Sequence, residues 1–248
     1  MDIIEYSNSE ELCQKMAEAS NGTAILSFSC GKDSIAAWLQ MRKYFDRIIP
    51  FYKYFVPGLQ FVERGLEYYE DFFGCHIYRF PHPAFFKKLN QGIFQPPYRL
   101  NVILDNVDID SSTYTDATIS DIIRDREQLS EDVYTAVGVR MADGPMRRMQ
   151  IKTSGAVIHT KQIFYPVYDW LKDDIIRAMD ACGCKLPVDY KMFGRSFDGL
   201  NYTYLKPLKE WFPDDYKRLL EWFPFAEMDL LRRGEKDGIQ KRKDIDRR

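Results

Sequence analysis

No CxxC pair occurs anywhere in this 248-residue chain, and its five cysteines (Cys13, Cys30, Cys75, Cys182 and Cys184) are odd in number and irregularly spaced. A secreted disulfide framework is therefore not expected, nor a four-cysteine zinc or iron–sulfur site of familiar spacing. No apolar run approaches the roughly 18 residues that span a bilayer. The opening MDIIEYSNSEEL is acidic and polar, unlike a leader with a charged start and an apolar middle. A cytoplasmic location with no membrane partner is the expectation. With a formal charge of −2 there is no global pull toward nucleic acid either. What is present is the make-up of a globular protein, 45% hydrophobic and 29% charged, rich in Phe (17) and Tyr (16). The length allows one large domain, or one domain with an appendage.

Along the chain, strand and helix patterns alternate. SNSEELCQKMAEAS reads as a helix that Ser9 could cap, with Leu12, Met16 and Ala19 on one face. TAILSF reads as a buried strand, IAAWLQMRKYF as a helix, RIIPFYKYF as a strand ending near Pro57-Gly58, QFVERGLEYYEDFFG as an amphipathic helix and CHIYRF as a third strand. HPAFFKKLNQGIFQPPYRL is less regular. A helix over DATISDIIRDREQL and a strand at DVYTAVGV follow, and LKDDIIRAMDACG is a further helix. The stretch from Met141 to Trp170 reads mostly as loop with short extended pieces. This alternation implies an α/β fold with a Rossmann-like parallel sheet of about five strands flanked by helices. Residues 1–186 form the expected nucleotide-binding domain, and 187–231 an aromatic-rich, mostly helical subregion packed on it. Residues 232–248, with eight basic and four acidic side chains, are expected to be a mobile charged tail.

Between the first strand and its helix lies Ser-Cys-Gly-Lys-Asp-Ser, residues 29–34. It is not a Walker A loop, because Leu26 stands where that motif needs its first Gly and Asp33 where Ser or Thr must follow the Lys. The ingredients of a phosphate cradle are nevertheless there. Gly31 lets backbone amides approach an anion, and a helix starts at the same place, adding its positive end. Ser29 and Ser34 offer hydroxyls, Lys32 a point charge, and Asp33 either a helix cap or a magnesium ligand.

Three segments resemble the PP-loop ATP pyrophosphatases (adenine nucleotide alpha hydrolase-like proteins), and within them the PAPS reductase-like branch that includes phage-borne proteins. SCGKDS is similar to the family's SGGKDS loop with Cys30 in place of a Gly. GVRMADGPMRR, from Gly138 to Arg148, is similar to its Gly-[Ile/Val/Leu]-Arg segment, and YPVYDWLKDDI, from Tyr165 to Ile175, to the Pro-x-x-x-Trp segment that follows. The resemblance implies ATP or a related adenosine nucleotide with Mg2+, cleaved between the α and β phosphates to adenylate an acceptor and release pyrophosphate. It assigns catalysis to Lys32, Asp33, Arg140 and Arg147, with the metal at Asp33. Nucleotide contacts would come from Ser27, Ser29, Cys30, Gly31, Lys32, Asp33, Ser34, Gly58, Gly138, Arg140 and Arg148, and the choice between Arg147 and Arg148 stays open. After the second strand the chain carries FVPGLQF where PAPS reductases have an Asp-Thr-Gly-like element, so Gly58 supplies a turn without those polar contacts.

The final EKDGIQKRKDIDRR contains no cysteine, whereas PAPS reductases act through one near the C-terminus. Sulfonucleotide reduction is thus disfavoured, and no iron–sulfur cluster is expected. The acceptor is a nucleic acid or a small molecule. Aromatics in NYTYLKPLKEWF, with Lys206 and Lys209, suit base stacking but serve equally as core. The alternative function is a nucleotide-binding regulatory subunit acting with a partner such as a ParB-like protein. The assembly state is left open, a homodimer included.

Overall fold

The structure, a computed structural model, describes residues 6–99 and 113–233. It divides into two compact units. The first is built from Met1–Lys53, Gly65–Phe80 and Tyr114–Pro187, the second from Tyr54–Arg64, Pro81–Thr113 and Val188–Arg248, each through its described residues.

The first unit is organised by a sheet of β1 (Thr23–Ser27), β2 (Arg47–Tyr54), β3 (Tyr78–Pro81), β4 (Thr135–Val137), β5 (Val157–Ile158) and β6 (Ile163–Phe164), in the order β3-β2-β1-β4-β6-β5. β1 runs parallel to β2 and β4, β4 runs parallel to β6, and β5 closes the edge antiparallel to β6. The expected mostly parallel α/β sheet is present, with six strands rather than about five. The sixth strand escapes sequence pattern because β5 and β6 have two residues each. Parallel neighbours need long crossovers. α2 (Lys32–Met41) is in the crossover between β1 and β2, and α3 (Gln60–Phe73) lies between β2 and β3. The chain steps outward from β1 to β2 to β3, then returns to the other side of β1 as β4. That reversal marks where open parallel sheets bind ligands, at the carboxyl ends of the strands.

The remaining helices show why some patterns were legible and others were not. In α1 (Ser9–Ala19) the cap is Asn8, whose side chain accepts from the Glu11 amide, and not Ser9 as expected. Ser9 lies one residue further in and is tied elsewhere. Its amide donates to Asp169 Oδ2 at 3.0 Å, and its Oγ accepts from Trp170 Nε1 at 3.1 Å. The segment expected to be loop contains α6 (Pro145–Ser154). Pro145 presets the first helical φ, but only Ile151 is buried, so no apolar stripe announces the helix. Ahead of it come α4 (Pro83–Asn90) and α5 (Asp116–Glu127), and after it α7 (Lys172–Cys182), which packs on α2. α4 starts within a stretch that looked irregular, with His82 Nδ1 accepting from the Ala84 amide as its cap.

In the second unit α8 (Val188–Phe193), α9 (Tyr202–Trp211) and α10 (Pro213–Trp222) enclose Phe61. Its ring centroid lies 6.2 Å from that of Phe193, 5.5 Å from Phe197 and 5.6 Å from Phe212. Tyr204, Leu205 and Leu208 of the NYTYLKPLKEWF stretch are buried. Arg232 and Arg233 close a helical stretch over 227–233 and approach Asp229 at 2.9 and 3.6 Å. The rest of the expected tail, 234–248, lies outside the described residues. No helix among the described residues is long and apolar enough to cross a membrane.

The start of α3 depends on a carboxylate from α10. Asp215, only 3% exposed, accepts from the amides of Gln60 at 2.7 Å and Phe61 at 3.0 Å. It is a cap supplied from a distant part of the chain, satisfying donors that a helix start leaves unbonded. Asp215→Ala should cost about 2 kcal/mol in urea unfolding. Asp215→Asn, which keeps one acceptor oxygen, should cost visibly less.

Candidate functional site

The cradle begins with Phe28, buried at the end of β1. Its ring meets Trp38 edge-on at 5.0 Å and Tyr69 at 5.1 Å, while Trp38 stacks on Phe73 at 3.8 Å. This aromatic box fixes the direction in which the chain leaves the sheet. Residues 29–34 then close a ring of hydrogen bonds. The Gly31 amide donates to Ser29 Oγ at 3.3 Å, Ser29 Oγ donates to Ser34 Oγ at 3.1 Å, and Ser34 Oγ donates to the Gly31 carbonyl at 2.9 Å. The Ser29 amide also donates to Ser34 Oγ, at 3.2 Å.

Cys30 has φ +56°, a left-handed conformation uncommon outside Gly, Asn and Asp. Gly31 is the N-cap of α2 and carries no side-chain cap bond. Asp33 therefore does not cap the helix. The first intrahelical bond runs from the Ile35 amide to the Gly31 carbonyl at 3.0 Å. The amides of Lys32, Asp33 and Ser34 precede it, at the positive end of the helix.

The second half of the site comes from the strand beside β1. Ser27 and Val137 are register partners, so the chain leaves β4 directly alongside the cradle. A Cβ on Gly138 would sit 2.6 Å from the carbonyl carbon and oxygen of Asp33 and 2.7 Å from the Ser34 nitrogen. These are backbone atoms that cannot swing aside, so backbone meets backbone here and only Gly fits.

Two residues on, Arg140 is a buried cation, its side chain 6% exposed. Nε lies 2.7 Å from Asp33 Oδ1. Both atoms are buried and neither makes a directed hydrogen bond, so the contact is one of charge. Nη2 donates to Asp143 Oδ1 at 2.7 Å and Nη1 to the Trp170 carbonyl at 3.4 Å. Asp143 Oδ2 also accepts from the Arg140 amide at 2.9 Å. On its other side Asp33 accepts from Lys32 Nζ at 2.6 Å.

Ser29, Cys30, Gly31, Lys32, Asp33, Ser34, Gly138 and Arg140 thus converge, with Ser27 just below them on β1. Arg147 and Arg148 lie exposed on the first turn of α6, Arg147 turned toward Gln150 Oε1 at 3.2 Å. Gly58 belongs to the second unit, where it takes φ +69° in a turn sealed by Arg218, whose Nε donates to the Pro57 carbonyl at 2.8 Å. Asp143 and the Trp170 carbonyl were missed from sequence. Asp143 had a usable signal, a carboxylate three residues after the arginine of a segment that resembles a family motif. A carbonyl has none. A cavity of about 940 Å³ in the second unit, lined by Lys88, Phe94, Asn201 and Arg232 among others, includes none of the expected site residues.

No protein-family model matches the chain, and no curated protein sequence matches it. Among solved structures it is similar to the U34-tRNA thiolase NcsA from Methanococcus maripaludis, solved with its [4Fe-4S] cluster. Identity is 14% over 86% of this chain and 78% of that one, with a TM-score of 0.45. The expectation about cofactors is corrected on two points. That neighbour carries an iron–sulfur cluster, so the exclusion of such a cluster is withdrawn. Nor is the magnesium expected at Asp33 supported, since that carboxylate faces Lys32 and Arg140. Among the described residues no group of three or more His, Cys, Asp or Glu is placed to hold a metal.

Gly138→Ala should displace the first turn of α2. The expected loss is about 2–4 kcal/mol of stability, read by chemical denaturation.

Proposed function

We propose that the chain is a PP-loop nucleotide-binding enzyme of the PAPS reductase-like branch that cleaves ATP between the α and β phosphates, adenylating an acceptor and releasing pyrophosphate. One observation carries this reading. The SCGKDS loop opens α2 at the carboxyl end of the central strand, where strand order reverses, and the Gly138–Arg140 segment packs directly on it. Two segments that resemble one family's phosphate-binding motifs, far apart in sequence, are thereby adjacent.

The chemistry follows from the parts. A nucleophilic oxygen, nitrogen or sulfur of the acceptor attacks the α phosphorus, the bond to the bridging oxygen breaks, and pyrophosphate leaves with the electron pair. Negative charge grows on the β phosphate in that step. The amides that open α2 are fixed donors suited to receive it, and the Lys32 ammonium is a cation that can turn to meet it. Lys32 would exchange its partner, giving up Asp33 for phosphate while Arg140 continues to hold that carboxylate. Arg147 or Arg148, exposed on α6, supplies a cation that can close over the nucleotide. The acceptor is a nucleic acid or a small molecule.

Incubation of the protein with ATP, alone and with RNA or DNA, followed by chromatography of the products, tests the reaction. AMP or an adenylated product with pyrophosphate is the expected result, and intact ATP despite binding would refute cleavage. Lys32→Ala should weaken ATP binding about 10- to 100-fold by calorimetry, equivalent to about 1–3 kcal/mol for a lost charge-assisted contact. Its melting temperature should stay close to that of the parent, since Arg140 still pairs with Asp33. Unchanged affinity would remove the loop from the binding site.

A further inference from the structure

We infer that Arg140 is a positioning residue, a latch that holds the phosphate-binding loop through Asp33 rather than a ligand of the nucleotide. The inference rests on the nucleotide-binding reading above and deepens it. An arginine that grips phosphate must present its guanidinium to the ligand. This one is enclosed, with its side chain 6% exposed, and each of its three nitrogens already faces a fixed oxygen. Nε faces Asp33 Oδ1, Nη2 faces Asp143 Oδ1 and Nη1 faces the Trp170 carbonyl.

The planar fork is needed to serve three oxygens in different directions at once, which a lysine cannot do. The partners lie in three places along the chain. Asp33 is in the first turn of α2, Asp143 in the turn after β4, and Trp170 in the segment whose indole reaches Ser9 on α1. Arg140 therefore ties the cradle to both segments that resemble the family's later motifs. The charges at the latch balance, with Lys32 and Arg140 against Asp33 and Asp143. A phosphate entering the cradle can draw Lys32 away from Asp33 without leaving that carboxylate unpaired, because Arg140 stays. On this reading Lys32 is the mobile cation and Arg140 the fixed one.

The experiment compares the parent with Lys32→Gln, Arg140→Gln, Arg140→Lys and Asp143→Asn. ATP affinity is measured across a range of NaCl concentrations, below each variant's unfolding transition, and melting temperatures are recorded alongside. A cation that touches phosphate contributes to the salt dependence of binding, so Lys32→Gln should flatten the plot of log affinity against log salt. Arg140→Gln should weaken binding about tenfold with the parent's slope, and lower the melting temperature by several degrees. Arg140→Lys should restore neither. If Arg140→Gln fails to fold, Asp143→Asn decides, since it loosens the latch without removing a cation. It should weaken binding with the slope unchanged.

A slope flattened by Arg140→Gln as much as by Lys32→Gln would overturn the latch in favour of direct phosphate contact. Lowered melting temperatures with parental affinity in Arg140→Gln and Asp143→Asn would overturn it in favour of a role in folding alone. Failure of the parent itself to bind ATP is a different result. It would remove the nucleotide reading, and with it any positioning of nucleotide.

Discussion

The backbone contact at Gly138 is the constraint on which the rest of the site depends. The register that pairs Ser27 with Val137 ends β1 and β4 side by side, and the next residue on the β4 side must pass within contact distance of the Asp33 and Ser34 backbone. A side chain there would part the two loops. With no Cβ in the way, Arg140 arrives two residues later at the right height to meet Asp33. The Asp143 turn and the Trp170 carbonyl can then complete its surroundings. Close packing of backbone comes first, and the electrostatics follow from it.

Within this frame the cradle is rigid by its own bonding. The ring through Gly31, Ser29 and Ser34 satisfies two hydroxyls and a carbonyl without outside help, and the aromatic box around Phe28 anchors the approach. A buried arginine held by two carboxylates gains little net stability over apolar packing, because each charge costs desolvation. What such an arrangement supplies is a definite geometry. Removing either carboxylate is costly because the buried guanidinium is then left with only one counter-charge.

The loop at residues 29–34 was read from its residue types, but the sheet and most of the helices were legible for one physical reason. Those elements bury a face, so their apolar residues repeat with the period of the backbone. Sequence reading failed where burial is slight. α6 buries only Ile151 and begins at Pro145, so composition alone suggested a loop, and β5 and β6 are too short to alternate. Ser9 was misread because a residue with a capping side chain stands on each side of the true boundary, and tertiary contacts to Asp169 and Trp170 decide between them. Asp143 went unnoticed because its importance is borrowed from Arg140. The burial of Arg140 depends on strand order, which no local pattern records.

Cys30 shows how far a motif can depart from its pattern and still fold. The resembled loop carries Gly at this position, and the backbone explains the preference, since φ is +56° here. An ordinary L-residue in that conformation costs on the order of 1–2 kcal/mol. The cost is borne because the loop is over-determined. Phe28 is fixed before it, the hydroxyl ring spans it, and Gly138 and Arg140 press on the helix turn that follows. The side chain itself is 4% exposed, so it also returns some burial energy. Strain held in place by surrounding contacts is a frequent property of ligand-binding turns. Here it falls in the segment between the central strand and the helix whose first amides face the proposed phosphate site.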